Sequence, residues 1–218
     1  MRKLSPRYRN DPDVGIDPAI ETFLDENYFA HLPNLHVENP KLLVVFAGGS
    51  AVGKSTLARK IAEELHGLRL ENDGIKRVLL EKYPELKGTD ELHHITWQYS
   101  MSLYRRLDAL THNGLIIRDG IITWYFDRIL PIFESAGYEQ FTIAYDLSEE
   151  KMRELIRARG DTPTTSEERL YTLIPDQQIH LKRYLEHYQP DITLHDNNVF
   201  DHDLVLEKID KKLAELKI

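Results

Sequence analysis

From residue 42 the sequence reads LLVVFA, then GGSAVGKST, then a stretch with helical spacing through Leu57, Ile61 and Leu65, and that order leaves few folds open. The unbroken apolar run Leu42–Ala47 is the pattern of a strand covered on both faces. Gly48–Ser55 then satisfies G-x-x-x-x-G-K-[ST] in full. Glycines in such a turn let the backbone curl so that successive N–H groups point inward at phosphate oxygens. The helix that follows adds its unpaired first amides and the positive end of its dipole. Gly48, Gly49, Ser50, Ala51, Val52, Gly53, Lys54, Ser55 and Thr56 are therefore the candidate phosphate-binding residues. In such a loop the lysine, Lys54, reaches the β- and γ-phosphates, and the hydroxyl of Ser55 holds Mg²⁺.

Strand and helix patterns alternate through the rest of the chain. Leu68–Glu71, Leu115–Arg118, Gln140–Tyr145 and Asp191–Leu194 read as four further strands. Between them lie helical stretches starting at Asp73 and covering Glu91–His112, Phe126–Ser135, Glu149–Arg159 and Glu167–Gln189, the last expected to break near Pro175. A terminal amphipathic helix is expected over Asp203–Leu216. Strands separated by helices require parallel crossovers, so the expected fold is α/β: a three-layer sandwich around a five-stranded parallel sheet. Residues 1–40 differ. Pro6, Pro12, Pro18, Pro33 and Pro40 punctuate them, and only Ala19–Ala30 reads as a helix, with Asp17 as cap and Pro18 in its first position. We expect an N-terminal extension over 1–40 and one domain over 41–218.

Composition removes several alternatives. The 218 residues include no cysteine, which excludes disulfides, thiolate zinc sites and cysteine nucleophiles. A formal net charge of -8 argues against a protein whose main task is gripping a nucleic-acid backbone. The apolar run Leu42–Ala47 is far shorter than the ~20 residues that span a bilayer. The first residues lack the apolar stretch of a signal peptide, so the sequence reads as cytoplasmic. An Asn-Lys-x-Asp base-reading motif and a Leu-Ser-Gly-Gly-Gln signature, marks of GTPases and transporter ATPases, are both absent.

Four segments, AGGSAVGKSTLA (Ala47–Ala58), LENDGIKRVL (Leu70–Leu79), NGLIIRDG (Asn113–Gly120) and LIRARGDTPTTSEER (Leu155–Arg169), together resemble the small bacterial P-loop kinases. These include zeta-toxin-like, polynucleotide-kinase-like and adenylylsulfate-kinase-like proteins, and the resemblance covers about residues 41–216. It implies a nucleoside-kinase-like P-loop fold with an α-helical lid at about 157–169, and transfer of the γ-phosphoryl of ATP with Mg²⁺. It also implies that Asp73, just past the second strand, contacts the acceptor hydroxyl. The family's arginine three residues on is here Lys76, which cannot make a bidentate grip. Read from the residues alone, Asp73 is equally suited to cap the next helix. Asp119 matches the acidic residue that holds Mg²⁺ through water, or else closes an ordinary Asp-Gly turn. Arg157 and Arg159 match lid arginines, or belong with Arg153 to a solvated stripe. Arg128 is placed to bind an anionic acceptor or simply faces solvent. The resemblance further puts Asp196–Phe200 near the adenine.

The expected activity is an ATP- and Mg²⁺-dependent phosphotransferase acting on a hydroxyl of a small metabolite: a nucleoside, a sugar or a nucleotide-sugar. A zeta-like toxin kinase and a polynucleotide 5′-hydroxyl kinase are the alternatives within the class. An ATP-binding regulatory module with little turnover is the alternative outside it.

Overall fold

The computed structural model describes residues 15–32, 40–110, 114–162 and 165–217. The predicted turn residue Asn113 and the loop residue Pro163 lie outside them. Eight α-helices and five strands occur among the described residues: α1 (Pro18–Asn27), β1 (Leu42–Ala47), α2 (Lys54–Glu64), β2 (Leu68–Glu71), α3 (Asn72–Lys82), α4 (Asp90–Leu110), β3 (Leu115–Ile121), α5 (Phe126–Ser135), β4 (Glu139–Tyr145), α6 (Glu149–Arg159), α7 (Glu167–Leu185), β5 (Ile192–Leu194) and α8 (His202–Glu215). The chain divides into two compact units, one holding α1 with residues 72–108 and the other holding the sheet and its helices.

In the second unit all strand pairs are parallel, in the order β2-β3-β1-β4-β5. β1 lies in the middle, and each of its six residues is buried, as its unbroken apolar run requires. One face of β1 joins Leu57 and Ile61 of α2 and Val205 and Ile209 of α8 in the core. On β4, Thr142 Oγ1 lies 2.9 Å from the Tyr184 hydroxyl of α7, so helices cover the sheet on both sides. The expected three-layer α/β fold is the one observed.

Two details differ from the sequence reading. β3 does not stop at Arg118 but runs on to Ile121, because its pairing with β1 shifts between Val45↔Arg118 and Phe46↔Ile121. Such a bulge leaves residues of one strand unpaired and re-aims them. Here Asp119 is freed from β1 and stands opposite Glu71 of β2. Second, α7 continues through Pro175 instead of breaking there. The proline removes one backbone donor, but Ile174, Gln177 and Leu181 bury the helix on either side of the gap.

In the first unit, Asp17 caps α1 by accepting the Ala19 N–H at 2.8 Å, with Pro18 next as expected. The α-helix ends at Asn27, sooner than the predicted Ala30, and a 3₁₀ turn follows over Phe29–His31. Arg106 of α4 donates two hydrogen bonds to Asp25, at 2.8 and 2.9 Å, and the Tyr99 hydroxyl donates a third at 2.7 Å. Burial works against the Asp25 charge, but these donors outweigh it and hold the carboxyl below its usual range. Phe23 meets the Tyr83 ring edge-on at 6.0 Å and carries Lys82 over its face.

Candidate phosphate-binding site

The loop between β1 and α2 is shaped by contacts that only its own sequence allows. Gly48 has φ 136°, and a Cβ there would lie 2.8 Å from Tyr145 Cβ and 2.9 Å from the Tyr145 carbonyl oxygen. Ala51 adopts φ 63°, a left-handed conformation, inside the turn. Gly53 sits at the N-cap of α2 and no side chain caps that helix, which leaves its first amides open to an anion. The sequence-predicted turn thus forms at the end of a buried strand, with the amides of α2 uncapped by any side chain.

Lys54, 7% exposed, donates from Nζ to the carbonyl oxygen of Gly49 in the same loop. Burial pushes its pKa down to about 8, the Asp119 carboxylate partly offsets this, and the charge of Arg159 adds to the depression. Arg159 is therefore electrostatically coupled to the loop lysine. Arg157, in the same last turn of α6, instead interacts with the Tyr171 hydroxyl on α7. Both arginines are exposed. After Gly160, the Thr162 and Thr165 backbones pair with each other, and Ser166 caps α7.

Ser55 Oγ donates to Asp119 Oδ1 at 2.9 Å. Arg69 holds the other oxygen, Oδ2, from Nε at 2.9 Å and from Nη2 at 2.6 Å. The same guanidinium bonds Glu71 at 2.6 Å. A hydroxyl and a carboxylate side by side at a sheet edge are hard oxygen donors of the kind Mg²⁺ takes, so Ser55 and Asp119 suit that ion. No cluster of three or more histidines, cysteines or carboxylates occurs among the described residues.

Other predicted residues occupy separate settings. Asp73, exposed in the first turn of α3, accepts a 2.7 Å bond from Lys76 one turn on. Its neighbour Asn72 does not cap the helix with its side chain oxygen, which instead accepts from Ser100 of α4 at 2.9 Å. Arg128 is exposed near the start of α5. Phe200, 58% exposed in the segment between β5 and α8, comes within 3.3 Å of where a Cβ on Gly53 would be, so that segment borders the loop.

Three residues at the loop were not anticipated. Gln177 of α7, 1% exposed, accepts the Ser50 N–H at 3.0 Å through Oε1 and donates from Nε2 to Ser50 Oγ at 2.7 Å. Arg69 neutralises the candidate metal carboxylate. Tyr145 backs the loop, with Lys54 Nζ 6.0 Å from its ring centroid. Only Gln177 left a trace in the sequence. It interrupts the otherwise apolar stripe Leu170, Ile174, Leu181, Tyr184 of its helix.

A family model described as an AAA domain matches residues 43–178. Among solved structures, a candidate kinase from Chloroflexus aurantiacus superposes with a TM-score of 0.57 at 16% identity, covering 82% of this chain and 99% of that one. A structure of the PezAT chromosomal toxin–antitoxin system of Streptococcus pneumoniae gives 0.56 at 16%, covering 78% and 74%. A gluconokinase from Sinorhizobium meliloti 1021 gives 0.53 at 16%, covering 83% and 98%. At such identities the likeness establishes the shared fold. No curated protein matches the sequence as a relative, and no helix among the described residues is long and apolar enough to cross a membrane.

Proposed function

The chain belongs to the AAA domain family, and on that premise we propose that it is a kinase moving the γ-phosphoryl of Mg–ATP to a hydroxyl of a small metabolite. Such an acceptor would be a nucleoside, a sugar or a nucleotide-sugar. The observation that carries this reading is the 2.9 Å contact of Ser55 with Asp119, formed beside a buried Lys54 at the open N-terminus of α2. Loop, lysine, hydroxyl and acid stand together as phosphoryl transfer needs them.

In this reading the amides of residues 48–56 and Lys54 hold the polyphosphate. Ser55 and Asp119 place Mg²⁺, which when bound neutralises charge on the β- and γ-oxygens. The acceptor oxygen bonds to the γ-phosphorus, the β–γ bridging bond breaks to leave ADP, and Asp73 takes the hydroxyl proton. Lys76 and Arg128 serve the acceptor. Arg159, already coupled to Lys54, closes over the developing charge, and Arg157 braces the lid through Tyr171. Positioning and charge stabilisation supply most of the rate, so removal of Lys54 is costly.

The test is calorimetry with Mg–ATP followed by labelled-phosphate transfer into metabolite pools. Saturable binding with a labelled product supports the reading. Absence of Mg-dependent nucleotide uptake by the folded wild-type chain sinks it, and binding without any labelled product favours a regulatory module instead.

A further inference from the structure

Phe200, in the segment between β5 and α8, is 58% exposed, and among the described residues no other Phe, Tyr or Trp is so open to solvent. Its place matters more than its exposure. Ring atoms Cε1 and Cδ1 lie 3.3 and 3.7 Å from where a Cβ on Gly53 would be, so an edge of the ring rests against the residue that opens α2. The His202 ring packs against it, with centroids 6.4 Å apart and planes at 77°, and holds it from a second side. An apolar ring fixed beside a phosphate-binding turn, and more than half open, suits the base of a nucleotide whose phosphates fill that turn.

Adenine and guanine differ at the edge: adenine has an N6 amino donor where guanine has an O6 acceptor. A protein separates the two by presenting a donor or an acceptor that cannot change roles. The side chains of this segment do not offer one. Both Asp196 oxygens are taken by Ser148, from its N–H at 2.9 Å and its hydroxyl at 2.6 Å. Asn198 accepts the His195 N–H at 2.6 Å, Asp201 caps α8 at the Leu204 N–H, and Asp203 holds Lys60. His202 Nε2 is buried. His195 and Asn197 are exposed, but a neutral imidazole or a carboxamide offers donor and acceptor alike.

We propose that Phe200 seats the nucleobase by stacking and that the site does not read the edge of the base, so that adenosine and guanosine triphosphates serve equally as the phosphoryl donor. The inference rests on the kinase reading and widens its donor from ATP to the purine nucleoside triphosphates. It agrees with the absence of the Asn-Lys-x-Asp motif, by which a GTPase singles out guanine.

The experiment is calorimetry of the whole chain with Mg²⁺ and, in turn, ATP, GTP and inorganic tripolyphosphate, which carries the phosphates without a base. The dissociation constants of ATP and GTP should agree within about fivefold. Phe200→Ala should weaken both nucleotides about tenfold, with tripolyphosphate held within about twofold. Phe200→Tyr keeps the ring and should keep both nucleotide affinities. A preference for either base beyond that fivefold margin would overturn the inference. So would a folded Phe200→Ala protein with wild-type nucleotide affinity, or one that loses tripolyphosphate as far as it loses the nucleotides. Wild-type protein that binds neither the nucleotides nor tripolyphosphate would sink the kinase reading itself.

Discussion

Gln177 holds Ser50 by both ends of one carboxamide, taking the backbone N–H at 3.0 Å and giving a proton to the hydroxyl at 2.7 Å. A helix far along the chain thus fixes the second residue after Gly48. Gln177→Leu should cost about 1–3 kcal/mol of stability and weaken Mg–ATP several-fold, read by urea denaturation and calorimetry. Gln177→Glu keeps an acceptor for the Ser50 amide but adds negative charge beside the polyphosphate. It should retain more stability than the leucine variant and lose more nucleotide affinity.

Lys54 titrates near 8 when the loop is empty, because burial disfavours its charge more than Asp119 restores it. A bound polyphosphate favours the ammonium. Mg–ATP affinity should therefore fall as pH rises through about 8, and binding near that pH should take up a proton, visible as a calorimetric enthalpy that depends on buffer ionisation. Stability changes in the opposite sense: with pKa lowered on folding, the burial penalty is full below about pH 8 and is relieved as pH rises towards 10.5, the value of an unperturbed lysine. Lys54→Met should remove both effects.

Gly48→Ala places a methyl group 2.8 Å from Tyr145 Cβ at a φ that side chains avoid. The loop must shift, at a cost of about 1–3 kcal/mol. Nucleotide binding should fall further than stability does, since the anion cup itself is displaced. A variant with wild-type affinity for Mg–ATP would contradict the loop geometry.

Arg69 is the cation hydrogen-bonded to Asp119, and the charge of Lys54 also reaches that carboxylate. In Arg69→Met the carboxylate stays buried with Ser55 as its remaining hydrogen-bond partner. Stability should drop by about 2 kcal/mol, below the cost of a fully buried pair because Arg69 is 24% exposed. The gain in melting temperature from Mg²⁺ with nucleotide should exceed that of the wild type, since the ion no longer competes with a guanidinium.

Asp73 is exposed and its bond to Lys76 is a surface pair, so Asp73→Asn should leave stability within about 0.5 kcal/mol. Loss of a general base should lower turnover roughly 10²- to 10⁴-fold with Mg–ATP affinity unchanged. Equal loss of both would point to a role in folding or nucleotide binding instead.

What the sequence disclosed follows from how local each signal is. The loop was legible because its demands fall on consecutive residues, Gly48 to Ser55, between an apolar run and an amphipathic one. Asp119 was legible as a strand-end acid, but the bulge that turns it from β1 towards Glu71 depends on register between strands far apart in the chain. Arg69 reads from sequence as an ordinary half-buried strand residue; only the pairing of β2 with β3 brings it to Asp119. Pro175 reads as a break because the backbone rule is local, while the burial that keeps α7 continuous is not. Gln177 was visible only as a polar gap in an apolar stripe, with nothing local to say what it grips.

The placement of β1 between β3 and β4 also sets a timetable for folding. The strand that carries the loop emerges early, yet both its neighbours come from beyond α4, and Gln177 comes later still. Little in this sheet can nucleate from nearby residues, so its closure is expected to be slow. ATP would find no seat on a half-finished chain. Its effect on the protein's lifetime should appear as slower unfolding, with the rate of folding left as it was.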